Sequence, residues 1–208
     1  MGERKKILHV GCGGKRENAL PEPFNTPEWD EIRLDLNPAV EPDYLADICD
    51  MPVVPSDSMD GIYSSHNIEH LYPHDVPRAL AEFNRVLRDG GIVVMALPDM
   101  QRVAQFVAVG NLEEPLYISP AGPICAIDIM YGHRPSMAGG NLFMAHKTAF
   151  TATSLARELM AAGFSDVNIV RQGFDLSAFA RKLAVLSQPR NHFKLADKGG
   201  PAPKATTA

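Results

Sequence analysis

His66, Glu69, His70 and His74 crowd into one short stretch, SSHNIEHLYPH. Imidazoles titrate near neutral pH, so such residues can take a proton from a nucleophile or ligate a metal. A second concentration is of another kind. ILHVGCGGKREN sets Gly11, Gly13 and Gly14 directly after an apolar run. Glycine packs nothing and weakens a strand. It is useful where backbone turns sharply or lies against a ligand, whose anionic groups then meet free amides. Two carboxylates follow, Asp35 in RLDLNP and Asp47 in LADICDMP. A carboxylate just past a strand can accept hydrogen bonds from both hydroxyls of a ribose. One beside an apolar residue such as Ile48 can take an amino proton from a purine ring. Each feature alone also has a plain explanation: a tight turn, a helix cap, a loop aspartate, a hydrogen-bonded structural histidine.

The elements that must position these residues alternate between strand and helix. Residues 7–10, 31–36, 60–64 and the continuous apolar run 92–97 read as strands, the last buried on both faces. Residues 75–88 have helical spacing, with Leu80, Phe83 and Leu87 on one face, Asp75 as N-cap and Gly90 as terminator. Further helices are expected from Asp99 to about Val109 and over residues 151–162, the latter capped by Thr151 or Thr153. Residues 167–171 and 175–180 read as late strands. Residues 14–31 contain Pro21, Pro23 and Pro27, so the first crossover helix is expected to be short or distorted. Such alternation implies a parallel sheet covered on both faces, with the ligand beyond the carboxyl ends of its strands.

The 208-residue length suits one domain, here residues 1–187, with a lid or substrate segment at 111–147 and a flexible tail at 188–208. A segment as long as 111–147, rich in Pro, Gly, Met and Tyr, is usually functional. Tyr117, Tyr131, His133, Arg134, Asn141 and His146 could line a pocket mouth there. The net charge of −5 argues against a broad nucleic-acid-binding face. Three scattered cysteines make neither a disulfide framework nor a zinc site, and fit a reducing compartment. No run approaches the ~20 apolar residues of a membrane span. The charged and apolar opening lacks a cleavage site. A cytoplasmic protein is expected, with a small-molecule substrate, no nucleic acid and no membrane partner.

The order ILHVGCGG, RLDLNP, LADICDMP, DGIYSSHNIEHL and ALAEFNRVLRDGGIVVMALPD resembles the class I S-adenosylmethionine-dependent methyltransferases. The likeness is strongest to the small-molecule branch called methyltransferase type 11. It covers roughly residues 7–99, and EFNRVLRDGGIVV is its most specific part, with Asp89 where the family usually has proline. The resemblance implies an α/β, Rossmann-like, doubly wound and mostly parallel seven-stranded sheet with an inserted lid. It implies S-adenosylmethionine as cofactor, S-adenosylhomocysteine as product, and methyl transfer by in-line displacement. Gly11 and Gly13 then lie under the methionine part, Asp35 and Leu36 at the ribose, Asp47 and Ile48 at adenine. Ser64, Ser65 and His66 face cofactor and acceptor. His9 stands where the family has an acidic residue at the cofactor's amino end, and Gly14 is out of register with the third glycine. Other readings are a cofactor-binding module without catalysis, or a protein or RNA methyltransferase. A dinucleotide fold would want glycine at Arg16.

Methyl transfer from a sulfonium needs a placed nucleophile and, where that nucleophile carries a proton, a base. His66, Glu69 and His70 are assigned to catalysis, with His66 nearest the reacting centre. No metal ligand is assigned. The spacing of the three also permits one face of a helical turn holding a divalent ion, which a metal assay would decide.

Overall fold

The computed structural model describes residues 3–15, 20–184 and 193–200. Its centre is an eight-stranded sheet in the order β10-β8-β9-β5-β4-β1-β2-β3. The strands are β1 (Lys5–Val10), β2 (Trp29–Asp35), β3 (Tyr44–Leu45), β4 (Met59–Ser65), β5 (Leu87–Pro98), β8 (Phe164–Gln172), β9 (Asp175–Lys182) and β10 (Phe193–Asp197). Ladders from β3 to β5 are parallel, β9 is antiparallel to both its neighbours, and β10 is parallel to β8. The outer hairpin β6 (Pro115–Ser119) and β7 (Gly122–Cys125) stands apart.

The helices are α1 (Val76–Val86), α2 (Met100–Ala108), α3 (Ala126–Tyr131), α4 (Arg134–Ala138) and α5 (Ala152–Ala161). In α1 the apolar spacing buries Val76, Ala79, Leu80, Phe83 and Val86. With Leu155 and Leu159 of α5 they join Leu8, Val10, Leu34, Ile62 and Val93 in the main core. The helix boundaries follow local chemistry. Asp99 caps α2 by accepting from the Gln101 amide at 3.0 Å. Thr151 and Ser154 form a reciprocal capping box on α5. Asp75 sits at the N-cap of α1, yet its carboxylate takes Arg78 at 2.9 Å instead of a backbone amide. A second, smaller core gathers Val103, Phe106, Ile124, Ala126, Ile129 and Phe174. It ties α2 to β7 and α3.

Three expectations need correction. The sheet has eight strands, because residues 193–197 of the expected tail extend it: Phe193 packs on the main core and the segment pairs with β8. The rest of that tail, 188–192 and 201–208, lies outside the described residues. Between β1 and β2, residues 20–28 make turns and no helix, as three prolines dictate. Phe24 and Trp29 cover the sheet there; a Cβ on Gly61 would meet the Phe24 ring at 2.8 Å. Residues 111–147 are not irregular but hold β6, β7, α3 and α4. Among the described residues, no helix is long and apolar enough to cross a membrane.

Candidate active site

Strand order reverses at β1, whose neighbours are β2 on one side and β4 on the other. Loops leaving the carboxyl ends of β1 and β4 part there and leave a crevice. Gly11 and Gly13 both have φ of +59°. A Cβ on Gly11 would come within 2.5 Å of the Asn67 side-chain nitrogen, so conformation and space both demand glycine. At Gly13 a Cβ would enter open space. The loop is fixed from β2. The Gly13 amide donates to Asp35 Oδ2 at 2.9 Å, and Asp35 Oδ1 accepts from the Asn37 amide at 2.8 Å. Arg33, nearly buried, donates to the carbonyls of Gly13, Val40 and Glu41 and so staples the two loops together. Leu36 beside Asp35 is 54% exposed.

Asp47 is exposed and closes its own turn by accepting from the Cys49 amide at 2.8 Å, while Ile48 is buried beside it. His9 is also buried: Nδ1 donates to Glu31 Oε1 at 2.6 Å, and its ring packs on Tyr63 at 5.1 Å. A carboxylate, Glu31, thus stands against His9 from the neighbouring strand.

At the end of β4, Ser64 is buried and Ser65 partly so. His66 follows with φ of +48°, uncommon for a side chain-bearing residue and typical of functional turns. Its amide donates to the Ala96 carbonyl at 2.8 Å, which fixes the turn against β5. The ring lies between two carboxylates, Nδ1 at 3.3 Å from Glu69 Oε1 and Nε2 at 3.8 Å from Asp175 Oδ2. The adjoining Glu69 carboxylate raises the His66 pKa, against the effect of burial. Burial raises that of Asp175. Glu69 belongs to a one-turn 3₁₀ helix, Ile68–His70. It is 2% exposed, and neither carboxylate oxygen has a hydrogen-bond partner. The contact with His66 is thus one of charge and not an aligned hydrogen bond. Asn67 Nδ2, against Gly11, is likewise buried and unpartnered.

His66, Glu69 and His70 do come together, though not as one relay. His70 turns toward the segment before α5, where its Nδ1 donates to the Ala145 carbonyl at 3.1 Å. Next to it lies His146, the ring centroids 4.8 Å apart. Arg134 is occupied by Asp128 at 2.7 Å, and His133 Nδ1 by the Ser136 hydroxyl at 2.7 Å. Tyr117, Tyr131 and Asn141 are exposed, and His74 pairs with Asp75 at 3.5 Å. Burial pushes up the thiols of all three cysteines, Cys49 to about 12, so none offers a thiolate. The sequence reading passed over Arg33, Asn67, Glu31 and Asp175, which act only through contacts across strands.

A family model described as a methyltransferase domain matches residues 8–95, from the core of β1 through the middle of β5. Over those residues, fewer than half of the 208 in the chain, the sequence is similar to the methyltransferase domain family. Among curated proteins, none matches the sequence. The fold of the chain is similar to that of an S-adenosylmethionine-dependent methyltransferase from Archaeoglobus fulgidus, with 16% identity, TM-score 0.57 and 86% of each chain covered. One from Methanosarcina mazei has 16% identity and TM-score 0.54, covering 88% of this chain and 94% of the other. A third is 1,6-didemethyltoxoflavin-N1-methyltransferase from Burkholderia thailandensis, solved with its substrate and S-adenosylhomocysteine. It has 17% identity and TM-score 0.52, with 88% of this chain and 72% of the other covered.

S-adenosylmethionine is the cofactor of the similar structures from Archaeoglobus fulgidus and Methanosarcina mazei. The residues at the crevice fit it: bare backbone with open space at Gly13, a half-buried carboxylate at Asp35, an uncovered Leu36 and the unpartnered Asn67 donor beside Gly11.

Proposed function

We propose that the protein is an S-adenosylmethionine-dependent methyltransferase acting on a small cytoplasmic molecule, held between the β1–β4 crevice and a lid at residues 111–147. When bound, the cofactor supplies an electrophilic methyl carbon on a sulfonium, with a neutral thioether as leaving group. The Gly11 and Gly13 backbone and the Asn67 amide would hold its methionine part, with the His9–Glu31 pair nearby. Asp35 would take the ribose through the lone pair left on Oδ1. Leu36 and Ile48 would flank adenine, and Asp47 would accept from its amino group.

On the acceptor side stand Ser64, Ser65 and His66, with Glu69 and His70 behind them. His66 is the residue we assign to the acceptor's proton. Its ring is 48% exposed toward the crevice end of the sheet, and carboxylates stand at both nitrogens to orient it and to stabilise its protonated form. The observation that carries this reading is the joining of β1 and β2 through Asp35 and Gly13 at the point where strand order reverses. It sets a ribose-type carboxylate against a bare glycine loop. His66, at the next strand end, then stands on the acceptor side with Ser64 and Ser65.

The test is methyl transfer from S-adenosylmethionine across a panel of small acceptors, followed by His66→Gln on the best one. The variant should lose about 10²–10⁴-fold in kcat while still binding S-adenosylhomocysteine. Unchanged kcat would remove the proton-transfer role from His66. Transfer only to RNA or protein would overturn the small-molecule assignment.

A further inference from the structure

Both Nδ1 atoms of the adjacent histidines at the lid are committed to backbone carbonyls. His70 Nδ1 donates to Ala145 at 3.1 Å and His146 Nδ1 donates to Ile129 at 2.7 Å. This fixes the tautomer of each ring and leaves Nε2 with a free lone pair, the arrangement that metal-bound histidines share. Close to both lies the Glu69 carboxylate, 2% exposed and without a hydrogen bond to either oxygen. A carboxylate so buried calls for a cation. The single one in reach among the described residues, His66, meets it off-axis at 3.3 Å. One ligand atom from each of Glu69, His70 and His146 lies within 4.8 Å of the others.

We propose that Glu69, His70 and His146 bind a divalent metal ion. Two imidazole nitrogens and one carboxylate suit the first-row series from manganese to zinc, and not the oxygen-seeking calcium or magnesium. Ligand atoms on one ion stand roughly 3–3.5 Å apart when each bond is about 2.1 Å, so binding draws the three together by small side-chain rotations. The scaffold holds them in register. The amides of Lys147 and Thr148 both donate to the Glu69 carbonyl, at 2.8 and 3.2 Å, and the His146 amide donates to Tyr131 at 3.1 Å. The lid's last segment is thus laid over the 3₁₀ turn that carries Glu69 and His70, and the ion would clamp one to the other.

Three protein ligands leave coordination positions open. On the function proposed above, from which this part follows, those positions lie on the acceptor side and would bind an acceptor oxygen. The ion would then select acceptors that carry a hydroxyl or carboxylate.

Untagged protein, stripped with chelator and checked for fold by circular dichroism, is titrated with Co²⁺ alone. The expected result is one ion per chain with visible d–d bands. His146→Ala and, separately, Glu69→Gln should each raise the dissociation constant tenfold or more. S-adenosylhomocysteine affinity of His146→Ala, read by calorimetry, should stay within twofold. No stoichiometric ion, or equal Co²⁺ affinity in folded variants and parent, overturns the site. His146→Ala alters only the lid, so it decides the matter if Glu69→Gln does not fold. Metal bound while S-adenosylhomocysteine does not bind would leave the site standing and remove the acceptor role built on it.

Discussion

Asp35 makes the clearest single-residue claim. Its carboxylate already holds the Gly13 and Asn37 amides, with the Cys12 thiol 4.0 Å from the oxygen that takes Gly13, and the other oxygen keeps a lone pair for a ligand hydroxyl. Asp35→Ala should weaken S-adenosylhomocysteine binding by more than ~1 kcal/mol, the scale of losing hydrogen bonds to a charged group, or about fivefold in Kd. Isothermal calorimetry reads this directly, and an unchanged affinity would put the ribose elsewhere. The aspartate could be found in the sequence because it stands at a strand end. Asn67 could not. An asparagine between two histidines looks like any turn residue, and only the packed Gly11 loop shows that its amide is buried without a partner. His146 is a similar case. It lies far along the chain from Glu69, and no periodicity links them; the lid's return path does.

At the scale of elements, the helices that carry the main core could be read from spacing and caps. α1, α2 and α5 fall where apolar periodicity and Asp99 or Thr151 place them. The apolar run at 92–97 also forms a strand, which begins earlier than its hydrophobicity suggests: Leu87 already pairs with Met59, and the register shifts before Ile92 joins Gly61. What sequence could not show is short structure. α3 and α4 run for only six and five residues, too brief for a repeat to register, and depend on tertiary contacts. One such contact is Asp128 with Arg134. Burial alone would raise the Asp128 pKa, but the Arg134 guanidinium and the amides of Cys125 and Arg134 outweigh it and hold the carboxyl at about 2. An unfolded aspartate titrates near 3.9. The pair therefore contributes stability that is complete above about pH 4 and lost as pH falls through about 2. The stability gap between parent and Asp128→Asn, from urea unfolding at several pH values, should be constant from pH 5 to 7 and shrink below pH 4. A gap that does not vary with pH would mean that the pair does not hold α3 to α4.

Over the whole molecule, a sheet whose order reverses beside β1 gives the enzyme a crevice with two sides. The β1 and β2 tips offer bare backbone and carboxylates. The β4 tip and the lid offer imidazoles. Parallel topology was readable from strand–helix alternation, but not the eighth strand, since five residues in a polar, lysine-containing stretch carry little signal until Phe193 is seen on the core. On the proposed function, the same division would separate the two halves of the reaction, cofactor on one side and acceptor on the other. A crystal structure with S-adenosylhomocysteine tests it most directly. The account predicts the ribose on Asp35, the adenine between Leu36 and Ile48, and the sulfur turned toward His66. Density for the ligand anywhere else, or a crevice filled by the protein's own side chains in the presence of saturating ligand, would contradict it.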